Sequence, residues 1–313
     1  MSSSVETARE GREIGTGREQ AAAVTPGEAA GDPATIAALL RWGGRLLAGG
    51  RTAGGAAHEA ARLLAHVLHR EPAWLYAHGD ESPAPPDAAA YRRLIAARRS
   101  GVPLAYLTGE VEFCGLQLKV TPAVLIPRPE TETLVAAALE RLAPGARLTV
   151  ADLGTGCGAI ALALAARRPD CFVIGGDLSP AALTVARDNA RRLGLRVRFV
   201  CGSWFAPIPG NLDMVVANPP YVAAGDPHLA DPELRHEPQL ALTPGSDGLA
   251  ALRQIAGRAP ARLKPGGWLL LEHGYDQRAA AAELLAAAGF VEISGSDDEA
   301  GRPRVIAGRR PAD

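Results

Sequence analysis

The sequence predicts an α/β protein: a doubly wound, mostly parallel seven-stranded sheet with a small N-terminal helical domain. Three observations predict it. Apolar runs near 147–152, 172–177, 196–201, 212–217 and 267–272 alternate with helical stretches, as parallel strands with helices on both faces do. The final stretches, Phe290 to Ser294 and Arg304 to Ala307, read as a strand pair that finishes the sheet. The residues with chemistry to offer, Asp152, Asp177, Ser203-Trp204 and Asn218, fall at the carboxyl ends of those runs, where open α/β sheets bind ligands.

Taken in order, residues 1 to about 31 are rich in Ser, Gly, Glu and Ala without apolar periodicity, so a disordered extension over 1–33 is expected. From Asp32-Pro33, Ile36, Leu39, Leu40, Leu46 and Leu47 recur at helical spacing. A second helix is predicted over His58 to Leu68, and Pro86 opens another that runs to about Arg99. These make the helical domain, 34–105. His58, His66 and His69 lie in that helical setting without acidic partners at ligand spacing, so no metal site is expected. Glu110 to Val124 alternates as a short hairpin would, within a linker over 106–124. Pro127 to Glu132 has the proline and the acids of a helix start. The sheet domain then occupies 125–313.

Composition sets limits on function. With 47% hydrophobic and 21% charged residues, the 313-residue chain has material for a sizeable core and two domains. A net charge of −1 argues against direct nucleic-acid binding, which is usually strongly basic. Cys114, Cys157, Cys171 and Cys201 are widely spaced with no Cys-x-x-Cys pair, which suits a reducing compartment. No run of about 18 apolar residues and no signal-peptide pattern occurs, and Glu6, Glu10, Glu13, Glu19 and Glu28 count against a transit peptide. A cytoplasmic protein without a membrane partner is expected.

The first motif is Leu148 to Gly158: strand, tight turn with Gly154, Gly156 and Gly158, then the helical run Ala159 to Arg168. Glycines let the backbone approach a ligand, and the helix start presents unpaired N–H groups. Cys157 lies inside this turn, but the sequence supplies no base beside it to make it a nucleophile. Asp177 closes the next apolar run about 20 residues on, as expected of a carboxylate that accepts from ribose hydroxyls. The third motif is Asn218-Pro219-Pro220-Tyr221, after the apolar run Leu212 to Ala217. The prolines lack N–H groups, so carbonyls are left to face a ligand. Asn218 Oδ1 and the Pro219 carbonyl are placed to grip both hydrogens of a planar NH2 group while the Tyr221 ring stacks on its plane. Alone, Asn-Pro-Pro reads as an ordinary strand-to-loop turn. Gly turn, strand-end Asp and Asn-Pro-Pro-Tyr in this order is a far more specific pattern.

These residues resemble S-adenosylmethionine-dependent methyltransferases that act on NH2 groups of planar amides or amines. Gly101 to Gly109, Glu112-Phe113, Leu125-Ile126-Pro127-Arg128-Pro129-Glu130-Thr131-Glu132, Arg235-His236-Glu237-Pro238, Ser246-Asp247-Gly248-Leu249, Pro265-Gly266-Gly267 and Glu272 to Gln277 are similar to the HemK/PrmC family. Its members are peptide chain release factor N(5)-glutamine methyltransferases, and the resemblance runs from about Thr35 to Gly308. It implies a class I, Rossmann-like S-adenosyl-L-methionine-dependent methyltransferase fold, with S-adenosyl-L-homocysteine as product and the Gly-Gly-Gln glutamine of release factors as acceptor. It also implies that the helical domain docks the release factor; a monomer is expected. The implied cofactor residues are Asp152, Gly154, Thr155, Gly156, Cys157, Gly158, Asp177, Leu178, Ser203, Trp204 and Asn218. Asn218, Pro219 and Tyr221 are implied as catalytic, and Phe113 and Pro220 join them around the substrate. Family members often carry an acid where Ser203 stands. Three rivals remain: an amino-methyltransferase of DNA or RNA, a ribosomal-protein glutamine methyltransferase, and a noncatalytic cofactor-binding module. Basic surface would favour the first; Pro-Glu-Thr-Glu at 129–132 argues against the second, and the intact Asn218 to Tyr221 against the third.

Overall fold

A computed structural model of the chain describes residues 35–49, 53–243 and 247–312. The disorder expected over 1–33, and Ser246 of the motif at 246–249, lie outside the described residues. Thr35 caps the first helix, α1 (Ile36–Leu47), by accepting from Ala38 N at 3.3 Å. Next come α2 (Ala53–Leu68), α3 (Pro72–Ala77), α4 (Pro85–Arg99) and α5 (Leu104–Thr108). Helix α2 begins five residues before the predicted start, because Ala53 to Ala57 are too small to signal a face. The short α3 and α5 carry no readable period of their own. Ile36, Leu39, Leu47, Leu63, Leu64, Leu75, Tyr91 and Ile95 form a core separate from those of the sheet.

Close approach of α1 and α4 requires a glycine. A Cβ on Gly43 would lie 2.0 Å from Tyr91 Oη and 3.0 Å from Ile95 Cδ1. Tyr91, fully buried, donates its hydroxyl to the Leu39 carbonyl at 3.4 Å.

The predicted hairpin is β1 (Glu110–Phe113) and β2 (Leu116–Lys119), paired antiparallel across Cys114 and Gly115, which both have positive φ. One 3₁₀ turn, Pro129–Thr131, then leads into α6 (Glu132–Arg141). The sheet follows as β3 (Thr149–Leu153), α7 (Ala159–Arg167), β4 (Phe172–Asp177), α8 (Pro180–Leu193), β5 (Val197–Cys201) and β6 (Leu212–Ala217). After α9 (Gln239–Leu242) and α10 (Ala250–Arg258) it continues with β7 (Leu263–Glu272), α11 (Arg278–Ala287), β8 (Val291–Asp297) and β9 (Pro303–Arg309). Strand β7 starts four residues before its apolar run, with an irregular register against β6 where Pro265 to Gly267 intervene.

The sheet order is β5-β4-β3-β6-β7-β9-β8. Strands β3 to β7 are parallel, and β9 runs antiparallel to both β7 and β8. Because the chain moves outward from β3 in one direction and then returns to lay β6 on its other side, the two are the topological switch point of the sheet. Two apolar layers bury its faces: Leu134, Val135, Ile160 and Leu164 on one, Leu252, Ile255, Leu285 and Phe290 on the other. No helix among the described residues is long and apolar enough to cross a membrane.

Arg98 ties the helical region to the sheet region. It is 3% exposed and pairs with Glu59 at 2.8 Å on α2 and with Glu233 at 2.6 Å in the segment after β6.

Candidate active site

Register puts the motifs side by side. Leu153 of β3 pairs with Gly176 of β4 on one side and Ala217 of β6 on the other. The next residues, Gly154, Asp177 and Asn218, therefore emerge together at the carboxyl edge.

The Gly turn is built from left-handed backbone: φ is 74° at Gly154, 57° at Gly156 and 89° at Gly158, a region costly for other residues. A strand-end carboxylate on each side holds it. Asp177 accepts from Gly156 N and from Ser179 N, both at 2.8 Å, so each of its oxygens keeps lone-pair capacity for a ligand. Asp152 is fully buried and accepts from the Thr155 hydroxyl at 2.6 Å and Ala161 N at 3.2 Å. Burial pushes the Asp152 carboxyl up to about 7, against the pull of Thr155 and Ala161. The side chains of Asp152 and Thr155 thus act within the turn and offer a ligand only backbone. Cys157 is 2% exposed and burial pushes its thiol up to about 12, so it is a neutral packing residue.

Around this turn, Leu178 is 62% exposed directly after Asp177, an unusual setting for leucine. Trp204 has positive φ, packs its ring toward Gly154, and donates Nε1–H to Gln254 Oε1 at 3.0 Å. Ser203 is exposed before it.

Asn218 is oriented by Thr131 of the Pro-Glu-Thr-Glu stretch: its Nδ2 donates to Thr131 Oγ1 at 3.0 Å. That leaves Oδ1 as the acceptor. The Pro219 carbonyl takes no hydrogen bond from the described residues. Tyr221 is held at both ends, its hydroxyl donating to Glu272 Oε1 at 3.1 Å and its carbonyl accepting from Gln277 Nε2 at 3.0 Å. Glu272 is fully buried at the end of β7, and burial pushes its carboxyl up to about 7 against the Thr131 and Tyr221 hydroxyls and Arg304. Glu237, also buried, pairs with Arg128 at 2.5 Å and accepts from Ile126 N, which fastens the stretch before Thr131 to the segment after β6.

Phe113 departs from the expectation drawn from the resemblance. Its ring is 1% exposed, in one apolar cluster with Leu118 and Leu134, because β1 turns that position into the core. Sequence reasoning also gave no role to Thr131, Glu272 or Gln277. All three lie in the family-like stretches Pro129 to Glu132 and Glu272 to Gln277, which was the available signal; nothing in the sequence paired Thr131 with Asn218, 87 residues away.

Clefts open on the surface among the described residues. One, about 820 Å³, is lined by Arg128, Glu130, Asp231, Glu233, Leu234 and Glu237, next to the turn that carries Thr131. Another, about 740 Å³ and rich in carboxylates from Glu112, Glu132, Glu140, Asp297 and Glu299, includes no residue of the Gly turn or of Asn218 to Tyr221.

Residues 38–109 match the family model described as PrmC N-terminal domain, and residues 131–239 the one described as Methyltransferase small domain. A release factor glutamine methyltransferase of Bordetella pertussis (strain Tohama I) is 50% identical over 252 residues, covering 80% of this chain and 93% of that protein. One from Xylella fastidiosa (strain Temecula1) is 49% identical over 255 residues, covering 81% and 93%. Among solved structures, the hMettl16 catalytic domain in complex with MAT2A 3′UTR hairpin 6 has a TM-score of 0.51 at 16% identity, covering 73% of this chain and 82% of that one, a likeness of fold.

Proposed function

This chain belongs to the family of release factor glutamine methyltransferases, and from that premise we propose that it methylates the side-chain amide nitrogen of the Gly-Gly-Gln glutamine in peptide chain release factors. The observation that carries the reading is Asn218: its NH2 group is committed to Thr131, so Oδ1 stands as an acceptor beside the Gly turn.

The residues fit S-adenosyl-L-methionine. At Gly156 nothing lies within 4 Å of where a Cβ would be, Asp177 keeps lone pairs suited to ribose hydroxyls, and Leu178 and Trp204 offer apolar surface suited to adenine. When bound, that cofactor supplies an electrophilic sulfonium methyl group.

A glutamine amide nitrogen is a poor nucleophile because its lone pair is delocalised. Asn218 Oδ1 and the Pro219 carbonyl each accept one of its hydrogens, orient the nitrogen, and stabilise the positive charge that develops on it. Tyr221, fixed by Glu272 and Gln277, confines the amide plane. Orientation of this kind supplies on the order of 7 to 11 kcal/mol, against about 10²- to 10⁴-fold from a general base. The nitrogen becomes acidic after transfer and then loses its proton, so no strong base is required.

We assign residues 34–105 to release-factor docking, 106–124 to a linker and 125–313 to catalysis. The match of residues 38–109 and the separate apolar core around Tyr91 support that division. The protein is read as cytoplasmic, in keeping with four free cysteines, and as a monomer. The decisive experiment offers labelled S-adenosyl-L-methionine with release factor, ribosomal protein, tRNA and DNA separately. Label on release factor alone is expected; label on another acceptor instead refutes the substrate.

A further inference from the structure

We propose that Arg98 is a positioning residue: through Glu233 it fixes the helical region against the segment that steadies Asn218, so that a release factor docked on that region presents its glutamine at the clamp. This rests on the reading of residues 34–105 as the docking domain.

Arg98, the penultimate residue of α4, is 3% exposed and uses every side of its fork. Nε and Nη2 donate to Glu59 of α2 at 2.8 and 3.0 Å, and Nη1 donates to the Val102 carbonyl at 3.0 Å. Those contacts stay within the helical region. Nη2 also donates to Glu233 at 2.6 Å, and this contact leaves it. A planar guanidinium holds two carboxylates in a set relation, which the single ammonium of a lysine does not.

From Glu233 the connection runs on to the site. A 3₁₀ turn, Leu234–His236, leads to Glu237, whose buried carboxylate pairs with Arg128 at 2.5 Å and accepts from Ile126 N at 3.2 Å. Just beyond Arg128, Thr131 accepts from Asn218 Nδ2 at 3.0 Å. A short strut therefore has the helical region at one end and the stretch that holds Asn218 at the other. Gly101 seats it a second time: a Cβ there would lie 2.9 Å from Pro232 Cβ and 3.3 Å from the Pro232 carbonyl oxygen. The cleft of about 820 Å³ is lined by both ends of the strut, Glu233 and Leu234 with Glu237 and Arg128.

Stability alone is a weak reason to bury Arg98, because desolvation of a buried ion pair commonly cancels what the pair returns. Placement is a stronger one. The acceptor is a side chain carried on a whole protein, and an error of about 1 Å in presenting it can cost on the order of 100-fold in rate.

The test is single-turnover transfer to purified full-length release factor at saturating S-adenosyl-L-methionine, for wild type, Arg98→Met, Glu59→Ala and Glu233→Ala. For each, the maximal rate, the release-factor concentration giving half of it, the S-adenosyl-L-homocysteine dissociation constant and the melting temperature are measured. Glu59→Ala and Glu233→Ala each take one carboxylate from the same guanidinium, but only the second cuts the strut. Glu233→Ala and Arg98→Met should lower the maximal rate by about tenfold or more, with half-saturation and cofactor affinity held. Glu59→Ala should lower the melting temperature and leave the maximal rate unchanged. If Glu233→Ala keeps the wild-type maximal rate, or if both glutamate variants slow transfer in step with their melting temperatures, the bridge is structural only and the proposal falls. Should Arg98→Met melt early, the two glutamate variants decide. If wild type itself leaves release factor unlabelled, the functional reading falls, and the proposal with it.

Discussion

Leu153 and Ala217 are register partners in adjacent parallel strands, so the Gly turn and Asn218 leave the sheet next to one another although 64 residues separate the two strands' paired positions. The proximity is a property of strand order. Two strands that are not consecutive in the chain meet at the point where the winding reverses, and a ligand bridging them is held by both halves of the sheet.

Asn218→Ala is expected to reduce transfer by about 10²- to 10³-fold, the usual cost of removing one preorganised polar contact from a site where charge develops. Stability should change little, because the residue is only partly buried and the substitution opens no apolar cavity. Single-turnover rates with thermal melting as the folding control check both statements.

Asp177→Ala should weaken cofactor binding chiefly. Its carboxylate offers ribose a charge-assisted acceptor worth roughly 1.5 to 3 kcal/mol, about a tenfold to hundredfold loss in affinity. It also releases Gly156 N and Ser179 N, which loosens the turn the cofactor faces. Isothermal titration with S-adenosyl-L-homocysteine reads the effect, and an unchanged dissociation constant refutes the assignment.

The pH dependence has a defined sign. The Glu272 carboxyl is raised from 4.5 to about 7 in the folded protein, so the native state holds a proton that the unfolded chain has released. Stability contributed by the protonated form is present below about pH 4.5 and declines as pH rises to about 7, where the folded protein must bury the charge. Wild type should therefore lose stability relative to Glu272→Gln across that window, by on the order of a few kcal/mol.

In the helical region, Gly43→Ala should destabilise the fold by about 1 to 3 kcal/mol through overpacking against Tyr91 and Ile95. Adding Tyr91→Phe removes the hydroxyl that lies closest and should recover part of the loss. Denaturant midpoints of the single and double variants decide it.

The sequence by itself determined the elements and their order. Apolar runs of strand length separated by helical periods specify parallel strands, and the three glycines, the strand-end Asp177 and Asn-Pro-Pro-Tyr declare their backbone chemistry locally. Only the tertiary structure decided which side chains face the crevice. Asp152 and Thr155 turn inward to hold each other, and Phe113 enters the core with Leu118 and Leu134. Thr131, from a short turn far upstream, and Glu272, from a strand beyond β6, meet Asn218 and Tyr221 behind the motif. The reason is physical: backbone preference acts over a few neighbouring residues and is written in them, whereas polar side chains from distant strands find their partners only once strand order and register have brought them within a hydrogen bond's reach.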